Sequence, residues 1–232
     1  MAPRHLRSLC GGLLAAAVIL WLYMLRCRVL FDFNRGGLMG QVHQYLTDHL
    51  PWDGRGTLLD IGCGTGLELN AVYRRFPRAE VTGIDLCRDM LDKLQQTYRD
   101  KHFKAIVADY FEYPFEAERY DAALSFETLH HFPYEKKKRI YQKLYRALKP
   151  GGYYIECDYM VCCGEEERLC LEQYEYKRKK SGLPGHVFVH LDIPLTLEHQ
   201  VELMKYGGFQ AVNVLYQNGG TVIVRAEKSG NS

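Results

Sequence analysis

The sequence predicts an α/β fold: a seven-stranded, mostly parallel sheet with an antiparallel last strand, sandwiched between helices in three layers. Three observations carry this. From Thr57 onward, short apolar runs alternate with helical stretches, the pattern of parallel strands joined by crossover helices. The run Thr57-Leu58-Leu59-Asp60-Ile61 leads straight into Gly62-Cys63-Gly64-Thr65-Gly66 and then a helix. Such a corner lets backbone approach a ligand without Cβ interference. Near the C-terminus, two apolar runs flank Asn218-Gly219-Gly220, a hairpin turn that makes them antiparallel.

In order, residues 67 to 76 hold good helix formers and stop at Pro77. Residues 80 to 84 form the second strand and 87 to 98 the second helix. Residues 103 to 107 form the third strand, and 120 to 125 the fourth, ending at Phe126. A helix over 134 to 148 is closed by Lys149-Pro150-Gly151-Gly152, a stop signal, before a fifth strand over 153 to 157. A charged helix over 165 to 180 interrupts the alternation. Thr196 caps a helix that runs to Tyr206. Residues 209 to 216 and 221 to 226 are the last strands, and the tail from Lys228 is frayed.

Composition bounds the function. A chain of 232 residues, 47% hydrophobic and 25% charged, suits one sizeable folded domain. The net charge of +2 is unevenly spread: residues 1–35 sum to +4, and the remainder holds 25 basic and 27 acidic residues. A slightly acidic body gives no electrostatic case for a broad nucleic-acid footprint. The runs Lys136-Lys137-Lys138-Arg139 and Lys177-Arg178-Lys179-Lys180 read as solvated faces. Eight cysteines show neither Cys-x-x-Cys nor a Cys/His zinc spacing, as expected of free thiols in a reducing compartment. A metal or redox role for the cluster Cys157, Cys162, Cys163 and Cys170 is the alternative.

Ser8 to Leu25 is an uncharged stretch of 18 residues between Arg4/Arg7 and Arg26/Arg28. Its length just reaches across a bilayer core. No small-x-small cleavage pattern follows it, which disfavours a secretory signal, and Trp21 and Tyr23 suit a membrane interface. The rival reading is a start codon placed too far upstream, with Met24 or Met39 as alternatives. The expected organisation is therefore an apolar helix at 1–28 as membrane anchor, a connector and helix at 29–52, and a main domain at 53–228.

The motifs together resemble the class I S-adenosylmethionine-dependent methyltransferases. The glycine turn, Asp85 after the second strand, Ala108-Asp109 after the third, the segment Asp121 to His131, and Leu148-Lys149-Pro150-Gly151-Gly152 fall in that family's order. Within it, the segment His190 to Thr196 before a helix ending Gly207-Gly208-Phe209 resembles small bacterial enzymes related to the tRNA carboxymethoxyuridine methyltransferases. The resemblance implies a Rossmann-like fold and S-adenosyl-L-methionine as cofactor. A cytosolic cofactor also places the body on the cytoplasmic side of any membrane. Spacing argues against a dehydrogenase, because the glycines run Gly-x-Gly-x-Gly. Neither a phosphate-binding Gly-x-x-x-x-Gly-Lys nor a Gly-x-Ser-x-Gly elbow occurs.

Asp85, 19 residues after Gly66 at a strand end, is placed to accept both ribose hydroxyls. Leu86 and Met90 flank the adenine or belong to ordinary core. Asp109 accepts from the adenine amino group, and Tyr110 stacks or faces substrate. Asp60 orders the glycine turn or attracts the charged methionine end, where Gly62, Cys63, Gly64 and Gly66 supply backbone. Phe126 completes the expected cofactor set. Glu127, His130 and His131 after the fourth strand are the candidate bases. One histidine of the pair packing while the other lines the pocket is the alternative. His186, His190 and Asp192 read as lid or substrate contacts, because Pro184-Gly185 and Val187-Phe188-Val189 make an extended segment unsuited to a helical metal pair. No metal ligand set is expected. The expected roof of the pocket is the segment 164 to 192 with the helix before Pro51. The expected acceptor is a small molecule. A tRNA wobble uridine, a carboxy-S-adenosylmethionine-using relative, and a tethered cofactor-binding module without turnover are the alternatives.

Overall fold

The computed structural model describes residues 56–182, 184 and 191–230. The apolar stretch at 8–25, the helix before Pro51, His186 and His190 lie outside them. Among the described residues no helix is long and apolar enough to cross a membrane.

The strands are β1 (Thr57–Ile61), β2 (Glu80–Asp85), β3 (Phe103–Val107), β4 (Tyr120–Phe126), β5 (Leu148–Tyr159), β6 (Ala211–Asn218) and β7 (Thr221–Glu227). They form one sheet in the order β3-β2-β1-β4-β5-β7-β6. Pairings among β1 to β5 are parallel, and β7 runs antiparallel to both β5 and β6. The strand order reverses between β1 and β4, so ligand space opens beyond the carboxyl ends of those strands.

The helices are α1 (Leu69–Arg75), α2 (Arg88–Thr97), α3 (Tyr134–Ala147), α4 (Gly164–Ser181) and α5 (Leu197–Tyr206). Leu91 and Leu94 of α2, and Ile140, Tyr141, Leu144 and Ala147 of α3, recur at helical spacing and are buried. Leu59, Ile61, Ala123, Leu124 and Tyr154 complete a core with no water access. Thr196 caps α5 as expected, its hydroxyl accepting from the His199 N–H. Helix α4 buries no residue along its length. Its first turn is Glu165-Glu166-Glu167 and its last holds Arg178, Lys179 and Lys180, which complements the helix dipole. Glu167 ties it to α5, accepting from Thr196 N at 2.7 Å and meeting His199 Nδ1 at 2.8 Å.

Three expectations need correction. The helix expected from Leu67 starts at Leu69: the N–H groups of Leu69, Asn70 and Ala71 still close tighter three-residue turns onto Gly66, Leu67 and Glu68. The fifth strand begins at Leu148, not Tyr153: Leu148 already pairs with Tyr120, and Lys149-Pro150-Gly151-Gly152 is taken up by a register shift within the strand. Lys137 is no solvated residue. It is 1% exposed, and its ammonium points at the Ile193 carbonyl, 3.4 Å away, between α3 and the segment before α5. Its neighbours Lys136 and Lys138 lie over the rings of Phe111 and Tyr206.

Candidate active site

The turn after β1 holds Gly62, Gly64 and Gly66 at φ +67, +48 and +68. Gly62 is pinned by its N–H to the Ile84 carbonyl (2.8 Å), and Gly66 N–H closes the turn onto Cys63 (2.7 Å). The three glycines are needed for different reasons. A Cβ on Gly62 would sit 2.4 Å from Thr128 Cγ2, and one on Gly66 would sit 2.9 Å from Leu94 Cδ1. A Cβ on Gly64 would meet only Met90 Sδ, at 3.7 Å. Gly64 therefore presents open backbone toward β2, where a ligand can approach.

Asp85 ends β2 beside this turn. Its Oδ2 accepts from Gly64 N–H (3.0 Å) and its Oδ1 from Cys87 N–H (2.8 Å). A carboxylate has about four acceptor sites, so two such bonds orient the group and leave capacity for a diol. Next to it, Leu86 is 59% exposed and Met90 46%, two apolar side chains at a strand end with space over them. Asp109 stands after β3, bonded through Oδ1 to Phe111 N–H at 2.8 Å, and Ala108 N–H reaches the Asp85 carbonyl at 3.0 Å. These features fit S-adenosylmethionine: an oriented acid for a ribose, a second acid for an adenine, apolar surface between them, and bare backbone for the amino-acid end. Tyr110 differs from expectation. Its ring is core, 4.6 Å from that of Phe111 and 5.9 Å from Phe132, and its buried hydroxyl finds no partner among the described residues. Phe126 closes β4, half-buried.

Asp60 and Cys63 lie deeper than expected. Asp60 is fully buried, and neither carboxylate oxygen receives a bond from an N–H or hydroxyl group among the described residues. Glu68, just before α1, is 4% exposed and faces it. Burial first, then the neighbouring Glu68, holds the Asp60 carboxyl well above its ordinary range, and burial raises Glu68 as well. Two buried carboxyls in contact cannot both ionise, so the pair retains a proton. Burial likewise pushes the Cys63 thiol up, so it is an inert packing group.

The third part of the site follows β4. Glu127 has φ +47, a left-handed conformation uncommon for a side-chain-bearing residue. Its N–H donates to the Cys157 carbonyl of β5 at 2.8 Å. Burial, then the Asp158 charge, raises its carboxyl above the usual range. A single helical turn, Leu129–His131, comes next. The buried Asp158 of β5 organises it: Oδ2 accepts from the N–H groups of Leu129 (2.8 Å) and His130 (3.0 Å), and Oδ1 meets His130 Nδ1 at 2.5 Å. Burial opposes the charged imidazole of His130, but Asp158 outweighs it and lifts the pKa above 6.5. The same partnership holds Asp158 below its ordinary value despite its burial. His131 lies tilted against His130, with ring centroids 3.9 Å apart and ring planes at 55°. Asp192 Oδ1 lies 3.1 Å from His131 Nδ1 and 3.7 Å from His130 Nε2. The Ile193 N–H bonds the His130 carbonyl at 2.7 Å, which holds this segment in place.

Thus Gly62, Gly64, Asp85, Leu86, Met90 and Asp109 gather at one end of the sheet, with Glu127, His130 and His131 following the neighbouring strand. Glu68, Thr128 and Asp158 also belong to this region without being marked by any motif. Glu156-Cys157-Asp158 inside an apolar strand was the available signal, since carboxylates there must be paired. The strand runs on to Tyr159, which places Asp158 inside it. Glu156 is structural: it accepts from the hydroxyls of Tyr141 (2.7 Å) and Tyr154 (2.8 Å) and from the Gln200 amide.

Comparison with known proteins agrees with this geometry. Residues 58–152 match a family profile described as a methyltransferase domain. The malonyl-[acyl-carrier protein] O-methyltransferase of Priestia megaterium is 29% identical over 140 residues, covering 58% of this chain and 49% of that protein. The ubiquinone/menaquinone biosynthesis C-methyltransferase of Desulfotalea psychrophila is 31% identical over 99 residues, covering 43% and 39%. The chain spans only part of the curated relatives it matches, from 20% of one to 49% of another. Among solved structures, geranyl diphosphate C-methyltransferase from Streptomyces coelicolor, in complex with Mg2+, geranyl diphosphate and S-adenosyl-L-homocysteine, superposes with a TM-score of 0.63 at 18% identity. That likeness covers 86% of this chain and 83% of the other and speaks for the fold. Family profile and sheet order agree: residues 58–152 match a methyltransferase domain, and the sheet has the fold of the S-adenosylmethionine-dependent methyltransferases that the chain resembles.

Proposed function

We propose that the protein transfers a methyl group from S-adenosylmethionine to a small-molecule acceptor. The observation that carries this is Asp85, held by two backbone N–H groups at the end of β2 with bare Gly64 backbone beside it. The cofactor supplies a methyl group already activated on a sulfonium. What remains for the chain is alignment, and well-oriented reactants gain effective molarities of ~10⁵–10⁸ M. Asp85 orients the ribose, Asp109 the adenine, and Leu86 and Met90 cover the adenine faces. Gly62 to Gly66 offer backbone to the amino-acid end, with the buried Asp60–Glu68 pair packed behind the turn. Where the acceptor must shed a proton, Glu127 and His130 are the groups able to take it, with His130 oriented by Asp158.

A small acceptor is supported by the acidic balance of residues 36–232 and by a relative named for ubiquinone/menaquinone biosynthesis. The apolar stretch at 8–25 would tether the enzyme to the cytoplasmic face of a membrane, close to acceptors that partition there. The full-length protein is to be incubated with methyl-labelled S-adenosylmethionine and an extract of its own cells. A labelled low-molecular-weight product supports the proposal. Label confined to tRNA would move the acceptor to nucleic acid, and no labelled product at all would favour a binding module without turnover.

A further inference from the structure

His130, His131 and Asp192 converge from two separate segments, the turn after β4 and the stretch before α5. Among the described residues they form a group of three donors whose ligand atoms all lie within 4.8 Å of one another. A divalent ion bound at about 2.0–2.2 Å separates its ligand atoms by about 2.8–3.6 Å at right or tetrahedral angles. The Asp192 Oδ1 distances of 3.1 Å to His131 Nδ1 and 3.7 Å to His130 Nε2 match that spacing to within a few tenths of an ångström.

The surroundings support the same reading. Nδ1 of His130 is bonded to Asp158, which fixes the tautomer and turns Nε2 toward Asp192. A carboxylate behind the distal nitrogen of a ligating histidine is the usual outer partner of a metal site. Asp158 is itself anchored by the N–H groups of Leu129, His130 and Tyr159, so the imidazole has little freedom to turn. The His130 carbonyl, bonded to Ile193 N–H, keeps Asp192 close to the histidines. Two imidazoles and one carboxylate suit zinc, manganese, iron(II), cobalt or nickel better than magnesium, and three protein ligands leave positions open for another molecule.

We infer that His130, His131 and Asp192 form a divalent transition-metal site at the acceptor side of the cleft, with Asp158 as its outer partner. The inference rests on the methyltransferase reading only for its location. An ion there would bind an oxygen or nitrogen of the acceptor directly, and Glu127 would remain as the nearby base.

Cobalt(II) is the probe, added to the full-length protein and followed by visible absorption and calorimetry. Cys162 and Cys163 are exposed and could bind metal through sulfur, so a C162S/C163S variant and the near-ultraviolet thiolate band distinguish that case. The expected result is one ion per chain without a thiolate band, retained in C162S/C163S. Asp158→Asn should weaken binding about tenfold to a hundredfold. Asp192→Asn and His131→Ala should weaken it further. Binding lost with the two cysteines, unchanged in Asp192→Asn and His131→Ala, or absent at millimolar cobalt would overturn the site. S-adenosylhomocysteine binding, titrated separately on the same proteins, tells this failure apart from failure of the methyltransferase reading.

Discussion

Gly62 and Gly64 are two residues apart in one turn, both with positive φ, yet substitution should separate them. Gly62→Ala places a Cβ in a left-handed conformation, at a cost of roughly 1–2 kcal/mol. It also drives that carbon to 2.4 Å from Thr128 Cγ2 and 2.7 Å from Oγ1, with Thr128 anchored by a hydroxyl bond to the Phe126 carbonyl. Overpacking of this kind costs about 1–3 kcal/mol. The total is about 2–5 kcal/mol, a large share of a typical domain's stability. Gly64→Ala carries the backbone cost alone, about 1–2 kcal/mol, because its nearest neighbour would be Met90 Sδ at ordinary contact distance. Urea unfolding of both variants, with Thr128→Ala and Gly62→Ala/Thr128→Ala completing a double-mutant cycle, measures the steric part separately. Thr128→Ala removes the two atoms nearest the new methyl and leaves Cβ at 3.1 Å. The double variant should therefore be less destabilised than the sum of the singles by about 1–3 kcal/mol. Strict additivity, or a Gly62→Ala loss no larger than that of Gly64→Ala, would refute the packing argument. Cofactor affinity should also weaken in Gly64→Ala, whose backbone faces the open side of the turn.

Three further outcomes follow from the buried acids. His130 is held above 6.5, so the stability it draws from Asp158 is complete below about pH 6.5 and drains as pH rises through the folded value. Asp158 is held below 3.8, so its share is lost only in acid; the stability gap between wild type and Asp158→Asn should be widest between about pH 4 and 6.5 and narrower at pH 9. Glu68→Gln relieves the shared-proton pair with Asp60: its stability relative to wild type should grow as pH rises above about 4.5, and a flat difference from pH 4 to 8 would contradict the pairing. Tyr141→Phe takes one donor from the buried Glu156, whose carboxyl burial has already pushed up to about 7, and should cost about 1–3 kcal/mol in a urea melt.

Much of this architecture can be read from local pattern. The sheet follows from apolar runs of strand length, and the reversal at β7 follows from Asn218-Gly219-Gly220. The place of Asp85 beside the glycine turn is legible because it depends on where a strand ends, which the sequence marks. The less legible parts depend on contacts between distant segments. Thr128 explains Gly62 across 66 residues, and Asp158 orients His130 across 28. No periodicity encodes either. Asp60 and Cys63 sit at the right positions but face inward, since β1 is central and its tip is covered. Lys137 belongs to a charged run, yet it is buried, because a long side chain can cross apolar surface to reach a carbonyl. Charge runs read from sequence average over helix faces that the fold treats differently.

The most direct test of the central claim is calorimetric titration of S-adenosylhomocysteine into the full-length protein and into Asp85→Ala. Two charge-assisted bonds to a ribose diol contribute about 3–6 kcal/mol together, so the substitution should weaken binding about a hundredfold or more. One site per chain is expected in the wild type, and that loss in the variant. Equal affinity in both proteins, or no binding to the wild type at millimolar ligand, would contradict it.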